Sequence, residues 1–100
     1  MEIEFIGFKT LDEQHQSILN QISTKSVKRI KSKFPESKLI IIIKKYEKEG
    51  KGAKYSLNAK LENPRIKFAA RSHDWDLAKA AHKIFYKLEN EIHHKLKDNE

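Results

Sequence analysis

The sequence contains no cysteine, only three glycines and no long apolar segment. The absence of cysteine excludes disulfides and thiolate metal sites, and there is no glycine-rich phosphate loop or G-x-S-x-G motif. The longest apolar run, Leu39–Ile43, is far too short to cross a bilayer. The first residues, Met1–Glu4, include two acids, so a secretory signal is not expected. We therefore expect a cytoplasmic protein.

Positive charge is what the sequence has in excess. Among 100 residues, 21 are Lys or Arg and 14 are Asp or Glu, which gives a formal net charge of +7. Hydrophobic residues make up 38% and charged residues 35%, a balance typical of one folded domain with a highly charged surface. The charge predicts a polyanionic partner, with nucleic acid first and an anionic membrane surface second.

The segment from Trp75 to Lys97 is predicted to form one long amphipathic helix. Its apolar stripe recurs at three- and four-residue steps and consists of Leu77, Ala81, Ile84, Phe85, Leu88, Ile92 and Leu96. The opposite face carries Lys79, Lys83, Lys87, Asn90, His94 and Lys97. Like charges at i, i+4 destabilise an isolated helix by roughly 0.2–0.5 kcal/mol per pair. This arrangement indicates a binding surface, although a solvated helix back would also explain it.

A first strand is predicted at Met1–Phe8, followed by a first helix. Asp12 is expected to cap this helix, which runs to about Lys33 because Pro35 stops it. Its apolar arc consists of Leu11, Ile18, Leu19, Ile22, Ile30 and Phe34. Its C-terminal half has no acid and carries Lys25, Lys28, Arg29, Lys31 and Lys33. These cations suit either a polyanion or the dipole of the helix C-terminus.

Three strands are predicted between the helices, at Ser37–Tyr46, Ala53–Leu61 and Arg65–Arg71. The turns are expected at Glu47–Gly52 and Asn63–Pro64, and Ser72 or Asp74 is expected to cap the final helix. The order β-α-β-β-β-α predicts an α+β fold in which both helices cover one face of a four-stranded sheet. The other face would be polar and would add the cations Lys54, Lys60, Arg65, Lys67 and Arg71.

Catalysis and metal binding are not indicated. No two of the five histidines lie at i, i+4. His73 with Asp74 and Asp76 is the best candidate for a metal or acid/base site, but a capping loop explains these residues equally well. We therefore expect no enzyme activity, no cofactor, no metal and no small-molecule substrate.

The two helix backs are the predicted RNA-binding surface. Flexible ammonium groups on rigid helices suit phosphates more than bases, so a folded RNA recognised by its backbone fits best. A membrane role is not expected, because Tyr86 is the one large apolar residue beside the lysines. The predicted RNA-binding residues are Lys25, Lys28, Arg29, Lys31, Lys79, Lys83, Lys87, His94 and Lys97.

The chain resembles the ribosome hibernation promoting factor family of ribosome-associated translation inhibitors over essentially its whole length. The local match is strongest in Lys54–Leu61 and Ile66–Ala70, which look like the family's paired strands before its final helix. Residues of the final helix that fit the family pattern are Asp76, Ala80, Ala81, Lys87, Leu88, Glu89 and Ile92, with Lys95 and Lys97 in the basic tail. The chain departs from that pattern at Ala78, Tyr86 and Asn90.

This resemblance implies one domain, residues 1–100, that binds the small ribosomal subunit in the channel for messenger and transfer RNA. It implies that basic residues on both helices contact ribosomal RNA and that translation stops, as in the hibernation response to stress. It also implies a short form without the C-terminal dimerisation domain of the family's long members.

Two other functions fit the same sequence. One is a general double-stranded RNA-binding module, which would bind naked duplexes as well as ribosomes. The other is a protein-interaction module, in which the second apolar face of Leu39–Ile43 pairs with a partner sheet or, through weak self-association, with a second copy.

Overall fold

The secondary structure follows the predicted order. The computed structural model describes the backbone of residues 1–98 and the side chains of residues 1–96. Its elements are β1 (Glu2–Ile6), a 3-10 turn (Phe8–Thr10), α1 (Glu13–Lys33), β2 (Lys38–Lys48), β3 (Gly52–Asn63), β4 (Ile66–Asp74) and α2 (Leu77–Asp98). The α+β class and the β-α-β-β-β-α arrangement are therefore confirmed. Neither helix in this part of the chain is long and apolar enough to cross a bilayer.

The isoleucine-rich strand β2 lies inside the sheet, between β1 and β3. The strand order is β1-β2-β3-β4, with β1 parallel to β2 and the other pairs antiparallel. Because a parallel pair needs a crossover, α1 connects β1 to β2 across one face of the sheet. Leu39, Ile41 and Ile43 are buried on the helix side, whereas Ile40 and Ile42 are half-buried on the other side. Its central position explains why β2 is apolar on both faces.

Both helices pack on the same face of the sheet and share one core with it. The predicted stripe of α2 is buried from Leu77 to Ile92, and Ala80 joins it. Leu96 was predicted to belong to this stripe, which is wrong, because its side chain is 41% exposed. It lies beyond Ile92, the last described residue of α2 that is buried.

The caps of the two helices differ in how far they follow the prediction. Asp12 caps α1 as expected, since its Oδ1 accepts a hydrogen bond of 2.8 Å from the backbone N–H of His15. Ser72 and Asp74 do not cap α2, because β4 continues through both of them. The side chain of Asp76 caps it instead, accepting from the N–H of Lys79 at 3.2 Å. The buried Ser72 hydroxyl donates to the carbonyl of Ala80 at 2.7 Å.

The turn between β2 and β3 is tighter than predicted, and the first strand is shorter than the predicted Met1–Phe8. Strands β2 and β3 pair out to Lys48 and Gly52, so residues 49–51 alone form the turn predicted at Glu47–Gly52. The first strand ends at Ile6 because Gly7 adopts a left-handed conformation with φ of 87°. A Cβ at Gly7 would collide with the backbone carbonyl oxygen of Ile43. Glycine is therefore required here for both its conformation and its size.

Candidate nucleic-acid interface

The outer surface of the helix layer is the candidate interface. Helices α1 and α2 lie side by side, and their polar faces point away from the sheet. Among the predicted RNA-binding residues whose side chains the structure describes, every one is exposed: Lys25, Lys28, Arg29, Lys31, Lys79, Lys83, Lys87 and His94. Lys97 belongs to α2, but its side chain lies outside the described residues.

Three of the predicted RNA-binding cations on α1 have no carboxylate partner among the described residues. Lys25, Lys28 and Lys31 are exposed and make no ion pair within the described part of the chain. At about 100° per residue, Lys28 points directly away from the core, Lys25 leans toward α2 and Lys31 leans away from it. The three ammonium groups therefore spread across the top of α1 and can each neutralise a separate phosphate.

Arg29 is engaged in a contact between the helices. Its guanidinium donates to both carboxylate oxygens of Glu89, with Nε to Oε1 at 2.6 Å and Nη2 to Oε2 at 3.0 Å. This bidentate geometry is the strongest form of an arginine–carboxylate pair. The Ser26 hydroxyl also donates to Glu89, at 3.2 Å. Arg29 therefore ties α1 to α2 and offers less free charge to a phosphate than its lysine neighbours do.

The pKa values of the pair reflect this contact. The hydrogen bond from Arg29 lowers the pKa of the Glu89 carboxyl below its usual value, against an opposing effect of burial. The same hydrogen bond raises the pKa of the Arg29 guanidinium. Both groups are therefore charged at neutral pH, and Glu89 is the acid that most directly reduces the positive potential between the helices.

On α2, two of the predicted lysines reach down to the sheet. The Nζ of Lys83 lies 2.8 Å from Oδ2 of Asp74, and the Nζ of Lys87 donates to the backbone carbonyl of Arg71 at 3.0 Å. Both partners belong to β4, so these lysines cover the flank of α2 that faces away from α1. Lys83 is half exposed even so, with 50% of its side-chain surface accessible. Its hydrogen bond lowers the pKa of the Asp74 carboxyl, with a further contribution from the N–H of Asp76.

Fewer lysines of α2 are therefore available to a phosphate than the sequence predicted, because Lys83 and Lys87 already have partners. Lys79 is exposed and makes no ion pair with any described residue. His94 is also exposed, and it lies four residues after Asn90 on the same face of α2. Among the described residues, Lys25, Lys28, Lys31 and Lys79 form no ion pair, and they are the core of the candidate interface.

A wide cleft separates the two helices on the outer surface. It has a volume of about 1060 Å³, and its walls include Lys25 and Arg29 from α1 and His82 and Tyr86 from α2. The side chain of Tyr86 is 69% exposed. The cleft is open to solvent and lined by both cationic and apolar groups, so a folded RNA could reach the cations of both helices at once.

The predicted metal or acid/base candidate is not assembled. His73 and Asp74 are successive residues of β4 and point to opposite faces of the sheet. Asp74 is engaged by Lys83 and by the backbone of Asp76. Among the described side chains, residues 1–96, no group of three or more His, Asp or Glu could hold a metal ion.

Comparison with solved structures identifies the fold. A ribosomal subunit interface protein from Coxiella burnetii matches with a TM-score of 0.64 and 20% sequence identity, over 95% of this chain and 96% of that chain. The N-terminal domain of Protein Y from Thermus thermophilus matches with a TM-score of 0.52 and 13% identity, over 89% of each chain.

Sequence comparison adds no match, since neither a family model nor a curated protein matches this chain. At the identities found, the solved structures show a shared fold. That fold is the one expected from the resemblance to the ribosome hibernation promoting factor family.

Proposed function

We propose that the protein binds the small ribosomal subunit through its helix layer and inhibits translation, as ribosome hibernation factors do. Residues 1–100 act as one domain of this kind, in the cytoplasm and under stress. The partner is ribosomal RNA in the channel for messenger and transfer RNA, and no reaction is catalysed.

One observation carries this proposal. Four lysines that pair with no described residue lie on the helix layer of a fold shared with a ribosomal subunit interface protein: Lys25, Lys28, Lys31 and Lys79. Lysine ammonium groups bind phosphates as point charges and do not read base edges with fixed geometry. A surface of this kind favours a partner with many phosphates in a rigid arrangement, which folded ribosomal RNA provides.

Translation would be inhibited because the bound domain occupies the channel for messenger and transfer RNA. A domain whose Cα atoms span 50 × 22 × 20 Å would exclude other molecules from the part of the channel that it occupies. Phosphate contacts on the helix layer would hold it there without any covalent step. Translation would then stop because messenger and transfer RNA could not enter.

The test compares ribosome binding by two triple variants with equal loss of charge. The first changes Lys25→Gln, Lys28→Gln and Lys79→Gln on the helix layer. The matched control changes Lys9→Gln, Lys51→Gln and Arg65→Gln, which are exposed residues in turns. Both variants keep the fold, because all six side chains are exposed, and circular dichroism melting curves verify this.

Co-sedimentation with purified small subunits is measured between roughly 50 and 200 mM salt. Each phosphate contact contributes about 0.7–0.9 to the slope of log K against log salt, so the helix variant should lose about 2–3 from that slope. The control should lose less than about 1 and should still inhibit translation in a cell-free system. Equal losses in the two variants would contradict the assignment of the helix layer.

The same variants separate ribosome binding from general double-stranded RNA binding. A hibernation factor should bind small subunits much more tightly than a naked RNA duplex at equal salt. Equal affinity for both, lost together in the helix variant, would favour the general duplex-binding module.

A further inference from the structure

The face of the sheet opposite the helices, called here the open face, carries its own charge pattern. Strand register places its side chains in rows across the four strands. The rows are Glu2, Lys38, Glu62 and Lys67; then Glu4, Ile40, Lys60 and Ala69; then Ile6, Ile42, Asn58 and Arg71; then Lys44, Ser56 and His73; then Tyr46 and Lys54; and last Lys48 and Gly52. This order shows that charge is segregated along the strands.

The acids of the open face are confined to one end. Glu2 and Glu62 flank Lys38 in the first row, and the Nζ of Lys38 lies 3.4 Å from Oε2 of Glu4. Lys67 lies beside Glu62 in the same row. Positive and negative charges therefore alternate at this end, and their fields largely cancel.

The remaining part of the open face, called here the basic half, has cations without acids. Its rows hold Lys44, Lys54, Arg71 and His73, and Lys60 borders it. None of these residues forms an ion pair with another residue that the structure describes. Lys60 is separated from Glu4 by one strand, which is roughly 10 Å and about one Debye length at physiological salt. The basic half is therefore less neutralised than the helix layer, where Arg29 and Lys83 are paired.

Apolar side chains lie directly among these cations. Ile6 is 44% exposed and Tyr46 is 50% exposed, and Ile42 is half-buried between Ile6 and Asn58. A duplex presents its phosphates outward and hides its bases, so it would leave these apolar groups without partners. Unpaired bases have flat apolar faces that can cover them, and an exposed tyrosine provides a stacking platform.

We propose that the basic half of the open face binds single-stranded RNA. In this arrangement Lys44, Lys60 and Arg71 neutralise phosphates along the strand, and Tyr46 stacks on a base at the hairpin end. Asn58 and Ser56 lie between these cations with hydrogen-bonding side chains. This site is distinct from the helix layer and goes beyond the proposed function, since the sheet separates the two surfaces.

The test uses a fluorescently labelled oligouridylate of about 12 nucleotides, a length within the roughly 4–16 nucleotides that one OB fold covers. Anisotropy titrations compare the wild type with a sheet variant that carries Lys44→Gln, Lys60→Gln and Arg71→Gln. The turn variant described above, with Lys9→Gln, Lys51→Gln and Arg65→Gln, loses the same number and types of charges. The helix variant, with Lys25→Gln, Lys28→Gln and Lys79→Gln, serves as a second control.

The sheet variant should lose about 2 from the salt slope, because each phosphate contact of a single strand contributes about 0.7. The turn and helix variants should bind the oligouridylate nearly as the wild type does. Tyr46→Ala should weaken binding at least about fivefold, whereas Tyr46→Phe should retain it.

Three outcomes would overturn the proposal. The first is an equal loss in the sheet and turn variants, which would mean that net charge alone drives binding. The second is oligouridylate binding that only the helix variant abolishes. The third is concentration-dependent dimerisation in sedimentation that the sheet variant removes, without oligouridylate binding by the wild type. If one of these outcomes occurs while the helix variant still loses small-subunit binding, this inference fails and the proposed function stands.

Discussion

The substitution Leu88→Ala should destabilise the protein more than any change on its surface. The side chain of Leu88 is fully buried in the middle of α2, against the sheet. Removing three carbon groups loses about 2.4 kcal/mol at about 0.8 kcal/mol each. The cavity left behind raises the total to roughly 2.7–5 kcal/mol. A domain of this size has about 5–15 kcal/mol of stability, so a large fraction would be lost.

Leu96→Ala provides the matched control. It removes the same atoms from the same helix and the same sequence stripe, but Leu96 is 41% exposed. Its cost should stay below about 1.5 kcal/mol, because a large part of the side chain remains in water and no closed cavity is left behind. Urea unfolding followed by circular dichroism measures both changes. Leu88→Ala should also lower the Tm by at least about 10 °C. Similar costs for the two variants would refute the packing of α2 described above.

The remaining predictions concern a turn and a charge pair. Gly7→Ala should destabilise the protein by at least about 1–2 kcal/mol in urea unfolding, because alanine strains the left-handed conformation and meets the Ile43 carbonyl; an unchanged midpoint would contradict this. Glu89→Gln removes a carboxyl whose pKa is lowered in the folded state from 4.5. Its stabilising effect is present above that value and is lost as pH falls through the lowered pKa. The stability difference between wild type and Glu89→Gln should therefore be constant near neutral pH and shrink below pH 4.5; a difference that grows on acidification would exclude the pair with Arg29.

The order and type of the elements could be predicted from the sequence because each has a strong periodic signal. The stripe from Leu77 to Ile92 and the alternation in Ala53–Leu61 each fix a face of one element. Strand ends were less predictable. Asp74 continues β4 because it pairs with Tyr55, a partner nineteen positions away in the chain, and no local signal reports that pairing.

The candidate interface was predictable as a set of exposed cations, but their pairing was not. Glu89 meets Arg29 across 60 residues of sequence, and Asp74 meets Lys83 because β4 runs on to that point. Both contacts depend on how α1, α2 and β4 pack together, which no local sequence pattern reports. The basic half of the open face was also visible as scattered cations on three strands. Only the strand register shows that the acids of the open face gather at the end opposite the basic half.

Lys83 and Lys87 of α2, which contact β4, also affect association between molecules. Strand β4 forms an outer edge of the sheet, and such edges can recruit strands from other chains through unpaired carbonyl groups. The Nζ of Lys87 donates a hydrogen bond to the backbone carbonyl of Arg71. The Nζ of Lys83 lies 3.5 Å from the backbone carbonyl of His73, two residues further along β4. A second chain would have to displace two charged amines before it could add a strand here. The same side chains that add positive charge to α2 therefore also protect the protein against edge-to-edge aggregation.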